Sequence, residues 1–434
     1  MERFVIEGGH PLEGTILPAG NKNEALGVLP AALLTDEPVV IHNVPQIGDV
    51  QTLLEILADL GVEVEWAGEH KVVLRAFEIA KTELHAELCH RIRGAMVLAG
   101  PMLARLGEVR LPRPGGDRIG RRRVDTHVMA LEALGAQTDT STGLSARLSR
   151  HYVMRTKRGL EGDDILLDEA SVTATESAIM AASTARGTTI LRNAASEPHV
   201  QQLCRMLNRM GARISGIGSN VLTVEGVEQL HGTEHTIQAD YMEVGSFIGL
   251  AAVTGSEIRI RDATPENMRM ALMVFERLGV HVEVRGDDLW VPKEQSLRIV
   301  PDLHGAIPQI YDAPWPGFPA DLMSIALVVA TQAEGTVLLF EKMFEGRMFF
   351  VDRLIGMGAA IVLCDPQRAV VVGPSKLYGD ELVSPDIRAG MALLIAAMCA
   401  QGTSVIQNIR QIDRGYEQID ERLRALGARI ERAD

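Results

Sequence analysis

The sequence predicts an α/β protein in which one unit of helix, strand, helix and strand is repeated six times. Along the 434 residues, an apolar helical stripe, a glycine and an alternating strand recur at intervals of 68 to 79 residues. A second helix, apolar on nearly all sides, precedes each of these stretches and should be buried. Six units fit two domains of three better than three domains of two.

The amphipathic helix of the unit carries its apolar residues on one face. In the first copy, Leu53, Ile56 and Leu60 have the spacing of a single helical face. The glycine that follows suits a helix C-cap, where the backbone needs a positive φ. The six such glycines are Gly61, Gly135, Gly211, Gly279, Gly358 and Gly427. An alternating strand comes next, as in VEVEW at 62–66.

The other helix of the unit consists of small apolar residues, as in MALLIAAMCA at 391–400. A strand follows it and is often opened by Gly-Thr, as in GTTILRNA at 187–194. The stretch HGTEHTIQAD at 231–240 is the expected crossing between the two halves. We therefore expect one domain at 22–238 and the other at 1–21 together with 239–434.

Composition and charge exclude several classes of protein. The formal net charge is −14, which argues against general affinity for nucleic acid or an anionic membrane. The N-terminus lacks the apolar core of a signal peptide, and the longest apolar run, at 391–400, is half a membrane span. Four distant cysteines without a CxxC pattern suit buried thiols in a reducing compartment. We expect a soluble, cytoplasmic protein.

Charged and polar residues recur at two places in the repeat. Those just ahead of the buried helices are Asn21, Lys22, Asn23, Arg93, Thr175, Glu176, Glu243, Asp321, Asp386 and Arg388. Those in loops ahead of the amphipathic helices include Asp117, Arg118, Arg121, Arg122, Arg123, Arg347 and Arg414. If like ends of the units pack together, these groups form a cleft suited to acid–base chemistry on a small polyanion.

Simpler interpretations stay open for single residues. A lone Arg or Asp at a helix end is usually a cap or a surface charge. His231 and His235 are four residues apart, but their surroundings are typical of loop and strand, so no metal site is expected there.

Several segments carry a family resemblance: AGNKNEAL at 19–26, PGGDRIGRRRVDTH at 114–127, FPADLMS at 318–324, FEGRMFF at 344–350, SPDIRAG at 384–390 and IDRGYEQIDERLRALGA at 412–428. With them the chain resembles the UDP-N-acetylglucosamine 1-carboxyvinyltransferase family of enolpyruvyl transferases. The resemblance implies a two-domain inside-out α/β barrel with three βαβαββ-like repeats in each domain. It also implies transfer of the enolpyruvyl group of phosphoenolpyruvate to the 3′-hydroxyl of UDP-N-acetylglucosamine, releasing phosphate, as the first committed step of peptidoglycan synthesis. No metal or cofactor is implied.

The resemblance also implies roles for residues by position. The residues it assigns to phosphoenolpyruvate are Lys22, Asn23, Arg122, Arg347, Arg388 and Arg414. Those it assigns to UDP-N-acetylglucosamine are Arg93, Arg123, Val124, Asp125, Thr126, Ser171, Val172, Thr173, Asp321 and Met343. Asp321 is the candidate base, Lys22 is catalytic as well as binding, and Asp386 is a further carboxylate of the site. A trianionic substrate needs such cations, and Arg binds it in bidentate fashion.

The main departure from the family pattern is Asp117, since many members carry a fosfomycin-reactive Cys in that loop. We expect Asp117 to be the general acid and fosfomycin to be ineffective, because a carboxylate is the poorer nucleophile. Arg118 and Arg122 should favour its ionised form, whereas bound substrate anions should favour its protonated form. Glu169 stands where Lys is common and Arg123 where Pro is common, so Arg121 or Arg123 could replace that lysine.

Two alternative functions remain at this point. One is a non-catalytic regulator that binds UDP-N-acetylglucosamine and descends from the enzyme. The other is the activity of the sibling family, 5-enolpyruvylshikimate-3-phosphate synthase. The presence of Lys22, Arg122 and Asp321 favours the enzyme over the regulator. Its expected partners are the two small substrates, and the loop at 112–123 should act as a lid over them.

Overall fold

The computed structural model describes residues 2–117, 119–139 and 151–434. Two compact units divide the chain. The first unit comprises Met1–Ala19, Asp117–Arg121 and Ala239–Asp434, and the second comprises Gly20–Gly116 and Arg122–Gln238. Residues 20 and 21 thus group with the second unit, and the short segment Asp117–Arg121 groups with the first, which the sequence did not predict.

Three buried helices pack against one another in the first unit, and each also packs on one of three sheets. The buried helices are Tyr241–Thr254, Met323–Gln332 and Ile387–Cys399. The other described helices of this unit are Arg269–Arg277, Val351–Gly356, Arg410–Asp413 and Ile419–Ala425. Its 3-10 turns are Pro265–Met268, Leu303–Gly305, Ala320–Leu322 and Arg347–Phe350.

The three sheets of the first unit each have four strands. The strands of the first sheet, in spatial order, are Glu381–Val383, Thr403–Gln407, Arg3–Glu7 and Arg429–Ala433. Those of the second are Glu283–Arg285, Asp288–Val291, Glu257–Ile260 and Glu13–Ile16. Those of the third are Gln309–Tyr311, Gly335–Phe340, Arg368–Gly373 and Ala360–Asp365. The N-terminal strand Arg3–Glu7 lies antiparallel between Thr403–Gln407 and Arg429–Ala433. The start of the chain therefore completes the last repeat.

The second unit repeats this plan. Its buried helical segments are Lys22–Val28 with Leu29–Leu34, Arg93–Leu98 with Ala99–Leu106, and Val172–Ala182. The outer helices are Gly48–Asp59, Ala86–Arg91, Asp125–Ala133 and Pro198–Arg209. Its described strands form three sheets. In spatial order, the first contains Thr233–Thr236, Val39–His42, Lys71–Arg75 and Glu63–Gly68, and the second contains Glu108–Pro112, His151–Arg155 and Gln137–Thr138. The third contains Arg213–Ser215, Val221–Glu225, Thr188–Arg192 and Asp164–Leu166.

The predicted α/β fold class is confirmed by these elements. Each of the six glycines that follow the amphipathic helices has a positive φ, between 83° and 108°, as a C-terminal cap requires. The strand Thr233–Thr236 lies within the expected crossing at 231–240 and pairs in parallel with Val39–His42. Among the described residues, no helix is long and apolar enough to cross a membrane.

Candidate functional site

Asp321 lies in the turn that leads into the buried helix Met323–Gln332. Its carboxylate accepts a hydrogen bond from Arg347, and another from Nε of Arg388 at 2.9 Å. The side chains of these arginines are only 12% and 7% exposed. Three residues predicted for the site are therefore in contact, and two guanidinium groups favour the ionised form of Asp321.

Hydrogen bonds hold both the backbone and the side chain of Arg388. Asp386 caps the helix Ile387–Cys399 by accepting from the backbone N–H of Arg388 at 2.8 Å and of Ala389 at 2.9 Å. Burial raises the pKa of this capping carboxyl group. Nη1 of Arg388 lies 3.2 Å from the hydroxyl of Tyr416, which in turn lies 2.9 Å from Oγ of Ser246. Tyr416 falls in the C-terminal signature segment but was not singled out from the sequence.

Glu341 and Asp312 form a pair of neighbouring carboxyl groups close to Arg347. Glu341 is fully buried, and this burial, together with the neighbouring Asp312, raises its pKa to about 10, so it is a neutral acid at pH 7. Asp312 accepts hydrogen bonds from the backbone N–H groups of Lys342 and, at 3.1 Å, Met343. These two contacts of Asp312 fix the backbone at Lys342 and Met343. The side chain of Met343 is 40% exposed.

Asp117 contacts a cation from the other end of the sequence. Its Oδ1 accepts a hydrogen bond from Nη1 of Arg414, which also donates to Gln411 at 2.7 Å. The side chains of Asp117 and Arg414 are 18% and 20% exposed. Of the neighbours expected from the sequence, Arg118 lies outside the described residues and Arg122 belongs to the second unit.

The loop around Asp117 is also tied to the segment before Arg347. The backbone N–H of Gly346 donates to the carbonyl of Ile119 at 2.9 Å. The backbone N–H of Arg121 donates to Oε2 of Glu345 at 3.0 Å. These contacts place Asp117–Arg121 with the first unit.

In the second unit, Lys22 begins the helix Lys22–Val28, whose N-cap is Asn21. The Lys22 ammonium lies 2.7 Å from Oδ2 of Asp49, and both side chains are less than one tenth exposed. Asn23, the next residue, is half-buried. Asp49 comes from the start of the helix Gly48–Asp59 and was not predicted as a partner.

Arg93 supports the backbone of the predicted nucleotide-sugar segment. Its Nη2 donates to the carbonyl oxygens of Arg122 at 3.0 Å and of Arg123 at 2.7 Å. Burial lowers the pKa of the Arg93 guanidinium. In this structure Arg93 thus shapes the loop that carries Arg122, which is half-buried.

Hydrogen bonds link the predicted segment 123–126 to Asp168, and link its neighbour His127 to the predicted segment 171–173. The Asp168 carboxylate accepts from Oγ1 of Thr126 at 2.7 Å and lies 2.9 Å from Nη2 of Arg123. Arg123 also donates to Asp125 at 2.8 Å. A second link joins Nε2 of His127 to Oγ1 of Thr173 at 2.9 Å.

The remaining predicted residues of this region have simpler placements. Ser171 is the N-cap residue of the helix Val172–Ala182, and Val124 precedes the helix Asp125–Ala133. Glu169, which departs from the family pattern, is exposed. Across residues 2–117, 119–139 and 151–434, no three His, Cys, Asp or Glu side chains are grouped as a metal site would need.

Comparisons with known proteins converge on one family. A family model described as EPSP synthase (3-phosphoshikimate 1-carboxyvinyltransferase) matches residues 6–423. Proteins named UDP-N-acetylglucosamine 1-carboxyvinyltransferase from Treponema denticola and Bradyrhizobium diazoefficiens are each 55% identical over 99% of this chain, and over 99% and 98% of their own lengths.

Solved structures show the same fold. The enolpyruvyl transferase NikO from Streptomyces tendae has a TM-score of 0.87 at 24% identity, covering 100% of this chain and 99% of its own. An EPSP synthase from Acinetobacter baumannii has a TM-score of 0.76 at 17% identity, covering 100% of both chains.

Proposed function

We propose a function from the premise that this chain belongs to the EPSP synthase family and, within it, to the UDP-N-acetylglucosamine 1-carboxyvinyltransferases. The protein is a transferase that moves the enolpyruvyl group of phosphoenolpyruvate to the 3′-hydroxyl of UDP-N-acetylglucosamine and releases phosphate. The observation that carries the residue roles is the contact of Asp321 with Arg347 and Arg388.

Asp321 is the base in this proposal. Two guanidinium groups favour its carboxylate, so it can accept the proton of the 3′-hydroxyl as that oxygen attacks C2 of phosphoenolpyruvate. Arg347 and Arg388 then serve the phosphate or carboxylate of the substrate as well, since a guanidinium has several donors. Burial alone would lower the pKa of Arg347, but the carboxyl groups of Asp321 and Glu341 raise it.

Asp117 is the acid and delivers a proton to C3 of phosphoenolpyruvate. Its carboxyl group accepts a hydrogen bond from Arg414, whereas proton delivery requires the protonated acid. Arg414 is also a proposed phosphoenolpyruvate ligand, so the arriving substrate anion competes with Asp117 for the same guanidinium. This competition frees Asp117 from Arg414, so that it can act as the acid when the substrate is bound.

The step is balanced without a cofactor. The 3′-oxygen forms a bond to C2 while Asp321 takes its proton and Asp117 protonates C3. In the elimination Asp117 takes back a proton from C3, the C2–oxygen bond to phosphate breaks and the double bond re-forms. Asp321 passes its proton to the departing phosphate, so both residues return to their starting states. The cations Lys22, Arg122 and Arg414 neutralise the substrate anion and the departing phosphate. The Asn23 amide can donate a hydrogen bond beside them.

The second unit carries the residues proposed for the nucleotide sugar, namely Arg93 and the segments 123–126 and 171–173. Arg93 supports the backbone at 122–123, Asp168 holds the segment 123–126, and His127 contacts Thr173. Arg123 is engaged by two carboxylates, Asp125 and Asp168. If it replaces the usual lysine beside the diphosphate, the substrate must compete with these carboxylates.

The cellular setting follows from the proposed reaction and the thiols. The relatives' activity places the product in peptidoglycan synthesis, and we extend this role to the present chain. Burial raises the pKa of the Cys89 and Cys204 thiols to about 12. Cys399 is half-buried and Cys364 is exposed, so the expectation of buried thiols is wrong for Cys364. Free thiols suit a reducing cytoplasm.

The test is a product assay. Purified protein with phosphoenolpyruvate and UDP-N-acetylglucosamine should yield phosphate and a nucleotide sugar heavier by one enolpyruvyl group in mass spectrometry. Shikimate 3-phosphate in place of the nucleotide sugar should yield no product, and Asp321→Asn should slow the reaction at least about 100-fold. Tight nucleotide-sugar binding without product would instead favour a non-catalytic regulator.

A further inference from the structure

We propose that Arg209, His235 and Glu24 form a hydrogen-bonded relay that positions Lys22 for its anionic substrate. All four residues belong to the second unit. The inference rests on the proposed function, in which Lys22 binds phosphoenolpyruvate. Within it, Glu24 and His235 are positioning residues that act through the helix Lys22–Val28.

The geometry determines the hydrogen positions of His235. This residue lies on the strand Thr233–Thr236 and is 4% exposed. Its Nδ1 contacts Nη2 of Arg209, and its Nε2 lies 2.7 Å from Oε1 of Glu24. A guanidinium only donates, so Nδ1 must accept and the ring hydrogen must be on Nε2. The neutral imidazole therefore donates to Glu24.

Glu24 in turn fixes the first turn of its helix. Its second oxygen, Oε2, accepts from the backbone N–H of Gln238 at 3.2 Å. The N–H of Asn21 donates to the Gln238 carbonyl at 2.8 Å, and Oδ1 of Asn21 accepts from the N–H of Glu24 at 2.9 Å. The turn that contains Lys22 is thus tied to the segment 235–238 at both of its ends.

Lys22 is the group that this turn presents. It lies two residues before Glu24, and its ammonium is 2.7 Å from Asp49. Glu24 is 1% exposed, and burial raises its pKa although the hydrogen bond from His235 opposes that rise. Without its donor, a buried carboxyl group must move or draw in water. Either response displaces the first turn and, with it, Lys22.

A cluster that only stabilises the fold would show the same contacts in the structure. Its disruption would, however, have a different effect on the kinetics. Displacement of Lys22 weakens phosphoenolpyruvate selectively, whereas general loosening of the unit affects both substrates. A shift of about 1 Å in a positioned group can cost about 100-fold in rate. We therefore expect a KM change confined to phosphoenolpyruvate.

The experiment compares KM for each substrate, kcat and Tm in three relay variants. His235→Leu should raise KM for phosphoenolpyruvate about tenfold and leave KM for UDP-N-acetylglucosamine within about twofold. His235→Gln should stay near wild type, because its amide N–H can still donate to Glu24. The double variant Glu24→Leu/His235→Leu should fold, since it removes both buried polar groups together. It should still show the selective rise, because the bond from the Gln238 N–H to Glu24, which ties the turn of Lys22 to the segment 235–238, is lost as well.

The matched control is Asn208→Leu, one residue before Arg209. Asn208 makes two hydrogen bonds to the backbone of Ile214, at 2.9 and 2.8 Å, and neither involves a residue of the relay. Its loss should lower Tm without changing the ratio of the two KM values. A folded double variant with wild-type KM for phosphoenolpyruvate, or equal rises for both substrates, would overturn the relay alone. Wild-type protein without sugar-dependent phosphate release would overturn the proposed function, and the relay with it.

Discussion

The ionisation of Glu341 should make the stability of the protein depend on pH, and the substitution Glu341→Gln should remove this contribution. Its carboxyl group is buried, and burial with Asp312 raises its pKa from 4.5 to about 10. Between these values the folded chain holds a proton that the unfolded chain releases. The stability contributed by Glu341 is therefore fully present below pH 4.5 and is lost as the pH rises toward 10.

One proton taken up on folding changes the free energy of unfolding by about 1.4 kcal/mol per pH unit. Glu341→Gln keeps the shape of the neutral acid and cannot ionise. Relative to wild type, it should gain about 3 kcal/mol between pH 6 and pH 8. Urea unfolding at pH 6, 7 and 8, followed by circular dichroism, measures this difference.

The control for this experiment is Glu381→Gln at an exposed site of the same unit. It should follow the wild-type pH dependence within experimental error. A constant difference between Glu341→Gln and wild type across this pH range would refute the reasoning, because it would show that Glu341 is ionised in the folded protein.

Four further predictions concern the site. Asp386→Ala should lower the free energy of unfolding by about 1 kcal/mol, as the loss of a helix cap does, and chemical unfolding measures it; an unchanged value would argue against the cap. Asp117→Asn should lower kcat at least about 100-fold while phosphoenolpyruvate still binds, since an amide cannot supply the proton; a wild-type kcat would remove Asp117 from the mechanism. Arg123→Ala should weaken the binding of UDP-N-acetylglucosamine measured by calorimetry. Unchanged affinity would indicate that Arg123 only pairs with Asp125 and Asp168. UDP-N-acetylglucosamine should slow protease cleavage within 112–123, and equal cleavage rates would argue against the lid.

The repeat could be predicted because its signals are local. Apolar spacing defines each amphipathic helix, and the need for a positive φ explains each terminal glycine, such as Gly61 at 105° and Gly427 at 97°. Buried helices begin where polar residues meet an apolar stretch, so Lys22 and Asp321 could be placed at helix starts. These features depend on neighbours within a few residues.

Partners across the fold could not be predicted in the same way. Asp117 and Arg414 are 297 residues apart in sequence, and Glu24 and His235 are 211 apart. Nothing near His235 indicates that its ring lies on a buried strand facing Glu24. The segment Asp117–Arg121 joins the first unit through contacts with Glu345 and Gly346, and no local pattern encodes them.

Asp49 and Asp168 were missed for a related reason. Each is an ordinary acidic residue near the start of a helix or at the end of a strand, where caps and surface charges are common. Only the folded structure brings Asp49 to 2.7 Å from Lys22, and Asp168 to 2.9 Å from Arg123. The cation of each pair could be identified from the family pattern, whereas its carboxylate could not.

The most direct test of the account is phosphate release from phosphoenolpyruvate, measured with and without UDP-N-acetylglucosamine and with and without fosfomycin, in wild type and Asp117→Cys. We expect phosphate release from wild type to require the sugar and to be unaffected by fosfomycin, and we expect time-dependent inactivation of Asp117→Cys. Inactivation of wild type by micromolar fosfomycin, with an adduct on Asp117, would contradict the assigned chemistry of that residue. Absence of phosphate release from wild type would contradict the proposed reaction itself.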